Sequence, residues 1–189
     1  MRKLEDIRID IDSIDSRIRD LIMKRLDCSE EVVAAKIADK NYVIYRADRE
    51  AAMLERLGKG LPEDRREGYL ALVRKITETS RSHQYDILFE EVPELFETLT
   101  KDLSLPGHSR EVELALSCPD RPNGLSALLS MIGDRGFDLT RLEKTGEDLQ
   151  NGSVSFRLTL RGDIAGSPLK RLLLQLSMEA EDFRILQFR

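Results

Sequence analysis

Arg25 falls two helical turns after Ile18, and Lys36 follows Arg25 by close to three more, so a helix carrying all three presents both cations on its apolar face. Their Cα atoms would stand roughly 16 Å apart, close enough for two long side chains to lean together on one small molecule. Further along, Ser80 and Gln84 are four residues apart and continue the stripe of Val73 and Ile76, aiming a hydroxyl and an amide inward. Arg49 and Glu50 open a shorter helix between these two. A helical bundle that received Arg25, Lys36, Ser80 and Gln84 in its core would hold costly buried charge unless an anion neutralised it. The chemistry open to such a set is the binding and electrostatic stabilisation of a small anion. The two cysteines, Cys28 and Cys118, match no metal-ligand spacing and read as small buried residues of a reducing compartment, and no metal or cofactor is expected.

Arg8 precedes Arg25 by roughly 25 Å of helix and lies on a different face, so the two can hold one small ligand only if Arg8 comes from a partner chain. The elements that must position these groups follow from apolar spacing. From Leu4 to about Ile37 there is no Pro or Gly, and Ile7, Ile11, Ile14, Ile18, Leu21, Ile22, Val32 and Val33 recur with helical period. One helix of roughly 50 Å cannot bury such a stripe against its own short neighbours, which again implies a partner. A loop through Asp39–Tyr42 leads to a short helix with Asp48 as its N-cap and a stop at Gly58-Lys59-Gly60. The third helix opens at Pro62 and runs to about Phe89, with Tyr69, Leu72, Val73, Ile76 and Ile87 on its stripe.

Taken one at a time, an Arg or Lys on a charged helix is a solvated side chain, and a Ser or Gln in a bundle is a register-fixing contact. Their order and spacing together say more. Ile7-Arg8 with Ile11, Ile14 and Asp15, Lys24-Arg25, Ala34-Ala35-Lys36, Tyr45-Arg46-Ala47-Asp48-Arg49-Glu50 and Ser80-Arg81-Ser82-His83-Gln84 resemble the helical chorismate mutases over residues 4 to about 90. That resemblance implies an all-α, three-helix domain in an intertwined homodimer, an isomerase converting chorismate to prephenate in aromatic amino acid biosynthesis. It implies that Arg25 and the second subunit's Arg8 bind the two substrate carboxylates, and that Lys36 and Gln84 hydrogen-bond the ether oxygen. Glu50 would hold the ring hydroxyl, Ser80 would help a carboxylate and Arg49 would support the site. Arg46 falls where other members carry an Asp. An isochorismate pyruvate lyase shares this scaffold and its cations, and a non-catalytic dimerisation module for a sensor is the alternative outside enzymology. Glu50 and Ser80 speak against the first, and the intact set of Arg25, Lys36, Glu50 and Gln84 against the second.

Beyond about residue 90 the helical period fades through a stretch with two prolines and Pro106-Gly107-His108-Ser109. Residues 1–90, a linker over 91–110 with a short helix around Leu95 and Phe96, and 111–189 are the expected divisions. In the last part, Val112, Leu114 and Leu116 form one strand face and Val154, Phe156, Leu158 and Leu160 another. A helix from Gly124, a strand from Phe137, a helix with Ser167 as N-cap and a closing strand over 183–188 complete the order βαββαβ. Right-handed crossovers turn that order into a four-stranded antiparallel, ferredoxin-like α+β sheet with two helices on one face.

Asp120-Arg121-Pro122-Asn123-Gly124-Leu125 and Glu143-Lys144 resemble the ACT domain attached to prephenate dehydratases, although the short linker leaves no room for a dehydratase domain. From the residues alone, Gly124 is a loop-to-helix junction and Glu143 an exposed strand residue. The resemblance implies that Asn123, Gly124, Leu125 and Glu143 bind an amino-acid effector. Both charge signs are interspersed along the 189 residues and sum to −5, so nothing in the balance recruits nucleic acid or an anionic membrane. The N-terminus lacks the apolar core of a signal peptide, and no stretch approaches the roughly 18 apolar residues of a span. A cytoplasmic protein is expected.

Overall fold

The computed structural model describes residues 2–189 and divides the chain into two compact units, Met1–Ile87 and Leu88–Arg189. In the first, helix α1 covers Leu4–Ala38, with Glu5 and Asp6 in its first turn and Lys36 in its last, each sign at the end the helix dipole favours. Only Ser29 and Val33 are buried along it, and Ile7, Ile11, Ile14, Ile18 and Leu21 stand exposed. Helix α2 covers Ala47–Gly58. Its N-cap is Arg46, not Asp48 as expected; Asp48 sits in the first turn, where its carboxylate meets the Arg46 guanidinium at 2.8 Å.

Helix α3 covers Glu63–Glu91. Its buried stripe is also turned from the expected one. Tyr69 and Leu72 are exposed, while Leu70, Val73, Thr77, Ser80, Arg81 and Tyr85 are buried at steps of three and four. Counting apolar residues misplaces the stripe because its inner half is polar: Thr77, Ser80 and Arg81 carry it.

The second unit begins within the last turns of α3. Helix α4, Glu94–Thr100, lies in the segment expected as linker, and its Phe96 is buried in the core of this unit with its ring edge-on to Phe89 at 5.7 Å. Then follow β1 (Glu111–Pro119), α5 (Gly124–Asp134), β2 (Asp138–Asp148), β3 (Ser153–Arg161), α6 (Ser167–Glu179) and β4 (Asp182–Phe188). The strands form one antiparallel sheet in the order β2-β3-β1-β4, the βαββαβ arrangement read from the sequence. Val112, Leu114 and Leu116 of β1 and Val154, Phe156, Leu158 and Leu160 of β3 pack with Leu128, Met131 and Ile132 of α5 and Leu169, Leu172, Leu173 and Leu176 of α6 in a single core. Ser167 is the first residue of α6 and Gly166 its N-cap, one position before the expected cap; Pro168 occupies the first turn, where its missing N–H costs nothing. Cys118 is buried as expected, but Cys28 is exposed. No helix among the described residues is long and apolar enough to cross a membrane.

Candidate active site

One cavity of about 570 Å³ in the first unit gathers the polar side chains of its three helices. From α1 it takes Arg25 and Lys36, from α2 Arg49 and Glu50, and from α3 Ser80 and Gln84; Arg46 lies at its edge as the cap of α2. Apart from Arg8, every residue expected in the substrate site of this chain lines that one cavity. Arg8 is an exposed residue of α1 outside it.

The cations are held by hydrogen bonds from the chain itself. Arg25 donates through Nη1 to the Ser80 hydroxyl oxygen, and that hydroxyl donates to the Ile76 carbonyl at 3.0 Å, so Ser80 aims the guanidinium. Lys36 donates to the Val43 carbonyl. The Gln84 amide donates to the Ser80 carbonyl at 3.3 Å, a long bond that a better acceptor could displace. Burial lowers the pKa of Arg25, offset by the Glu50 carboxylate and, where Cys28 is ionised, by its thiolate, and leaves an always-protonated cation. Lys36 is also lowered, first by burial and then by the charges of Arg49 and Arg46. Against the cations Arg25, Lys36, Arg46, Arg49, Arg56 and Arg81, the cavity wall offers one carboxylate, Glu50. Such a chamber binds anions and stabilises charge that develops on a ligand oxygen.

Sequence reasoning misses Arg81, Arg56, Thr77 and Cys28, all of which line the cavity. Arg81 is buried, bonds Glu50 Oε1 through Nη1 at 2.5 Å and lies over the Tyr45 ring at 4.8 Å. Its signal is the four-residue step from Thr77 to Arg81 to Tyr85, visible once the buried stripe is followed through its polar members. Among the described residues, no group of three or more His, Cys, Asp and Glu could hold a metal ion.

The expected effector residues lie in the second unit. Asn123 adopts the left-handed backbone, φ 69°, that its residue type tolerates, and caps α5. A Cβ on Gly124 would stand 2.2 Å from the Pro119 carbonyl oxygen, so glycine is required there by the crossing of the chain on itself. Leu125 packs against the core, while Glu143 is exposed on β2, opposite Arg157 of β3 and ion-paired with Arg141 at 2.9 Å.

Comparison with known proteins gives a family match within the first unit. Residues 7–85 match the family model "Chorismate mutase type II". A "Bifunctional chorismate mutase/prephenate dehydratase" of Stutzerimonas stutzeri is 42% identical over 59 residues, 29% of this chain and 16% of that protein. The chain therefore spans about one sixth of the length of that curated relative. A solved structure described as "GqqA- a novel type of quorum quenching acylases" aligns over 44% of each chain with 26% identity and a TM-score of 0.40. Because the cavity-lining residues from Arg25 to Gln84 all lie inside the matched segment, the N-terminal unit that holds them is a chorismate mutase domain of type II.

Proposed function

We propose that this cavity converts chorismate to prephenate. The supporting observation is the meeting of Arg25, Lys36, Arg49, Glu50, Ser80 and Gln84 on one cavity wall, within the matched segment. The rearrangement is intramolecular: a carbon–oxygen bond of the enolpyruvyl ether breaks as a carbon–carbon bond to the ring forms, with no proton transferred and no covalent intermediate. The protein's work is then to hold a flexible dianion in its reactive conformer and to place positive charge where the ether oxygen gains electron density. Arg25, aimed by Ser80, binds one carboxylate. Lys36 and Gln84 turn from their backbone acceptors to the ether oxygen, and Glu50 accepts from the ring hydroxyl. Arg49 adds to the field that holds the dianion.

The second carboxylate falls to Arg8 of the partner subunit. This reading is supported by the exposed isoleucines of α1, Ile7, Ile11, Ile14 and Ile18, a stripe that a second copy of the helix would cover. The second unit would be an ACT-type domain answering to an amino acid, supported by its βαββαβ order. Supplying the full chain with chorismate and, separately, isochorismate tests the central reading. Prephenate from chorismate is the expected product; release of pyruvate from isochorismate with chorismate untouched would replace the mutase with a lyase.

A further inference from the structure

We propose that Arg81 is a positioning residue for the mutase reaction, fixing Glu50 so that one carboxylate oxygen faces the ring hydroxyl of the substrate; the inference rests on the mutase reading above. Glu50 stands in the first turn of α2 with its side chain about a quarter exposed on the cavity wall. Left to itself, this carboxylate would be drawn toward Arg25, whose charge it already feels, and would neutralise the cation needed for the substrate carboxylate. Arg81 prevents that. It holds Glu50 Oε1 through Nη1, from α3.

Arg81 can act as a fixed anchor because it is itself immobilised. Its side chain is 7% exposed, and its guanidinium lies over the face of Tyr45, in the segment that leads into α2. Stability alone does not account for the pair, because replacing a buried ion pair with packed apolar side chains is often neutral or favourable. Its placement beside Ser80, which aims Arg25, gives it another use: two consecutive residues of α3 set the directions of a cation and a carboxylate on facing helices.

Three full-length variants, Arg81→Met, Arg81→Lys and Glu50→Gln, together with the double variant Arg81→Met/Glu50→Gln, test this on chorismate and on an analogue lacking the ring hydroxyl. Turnover of chorismate by the unaltered protein is the prior condition, and its failure would sink the mutase reading, not this one. Arg81→Met is expected to lower kcat/KM for chorismate by about tenfold or more, in the range of coupling between contacting residues. The loss should be under about threefold on the analogue and in the Glu50→Gln background, because no bond from Glu50 to a hydroxyl is left to orient. Arg81→Lys should recover part of the loss. Should Arg81→Met unfold by stranding Glu50, the double variant against Glu50→Gln alone supplies the same comparison. Equal losses on chorismate and on the analogue, or an undiminished effect in the Glu50→Gln background, would show Arg81 acting directly on the ligand or on the fold and would overturn the proposal.

Discussion

The Lys36 ammonium donates to the carbonyl oxygen of Val43, so the chain leading to α2 holds the last cation of α1 at the cavity edge. This bond keeps a half-buried lysine in place while burial, and then the charges of Arg49 and Arg46, push its pKa below the ordinary 10.5. If Lys36 donates to the ether oxygen as proposed, it must be protonated to do so, and activity should fall in alkali. The alkaline limb of kcat/KM, which reports the free enzyme, should lie below an ordinary lysine's range. Removing a neighbouring cation relieves the like-charge repulsion and raises the pKa. Arg49→Ala should therefore move the limb upward, and Arg46→Ala should move it in the same direction by less. A limb that stays put or moves downward in Arg49→Ala would mean that another group titrates.

Gly124 is a test of how the second unit is built. Its absent side chain makes room for the Pro119 carbonyl at the turn from β1 into α5. Gly124→Ala must push that turn apart and should destabilise the unit by about 1–3 kcal/mol, the usual cost of overpacking. Chemical denaturation of the full chain, followed by a probe in the sheet, measures it. Unchanged stability with lost amino-acid binding would instead make Gly124 an effector contact.

Acid stability should depend on Asp163, in the turn between β3 and α6. Hydrogen bonds from His108 first, then from the amides of Ala165 and Ser109, lower its pKa from the usual 3.8 to about 2. A carboxylate depressed in the folded state contributes its stability above the unfolded value, and that contribution is lost as pH falls through the folded one. The urea midpoint of Asp163→Asn should lie below that of the unaltered protein above about pH 3.8, and the two should converge toward about pH 2. A constant gap across that window would show that Asp163 acts through packing.

Sequence spacing gives the order of the main helices and strands because each rests on a repeated signal: the isoleucines of α1, the alternating Val112, Leu114 and Leu116, and the glycine stops. Arg25, Lys36, Ser80 and Gln84 can be placed on facing stripes because helical geometry converts spacing into direction. Arg81 cannot be found that way. Its neighbours at one turn, Thr77 and Tyr85, are not simple apolar markers, so spacing alone draws the stripe through Tyr69 and Leu72 instead. The cap of α2 is misplaced for a related reason. Asp48 is a good capping residue, but the carboxylate is taken by Arg46 two positions earlier, a side-chain pairing that local propensity does not contain. Residue type assigns Cys28 to the core, whereas its position beside Arg25 on the cavity wall leaves it exposed.

Turnover of chorismate by a Lys36→Ala variant probes the proposed chemistry at its critical atom. If the Lys36 ammonium stabilises the charge that builds on the ether oxygen, loss of such a preorganised donor costs roughly 2.7–4 kcal/mol in the chemical step. The full chain should therefore convert chorismate to prephenate, and a folded Lys36→Ala should do so with kcat about a hundred- to a thousandfold lower. A folded Lys36→Ala protein with the kcat of the unaltered chain would mean that this ammonium plays no part in the rearrangement.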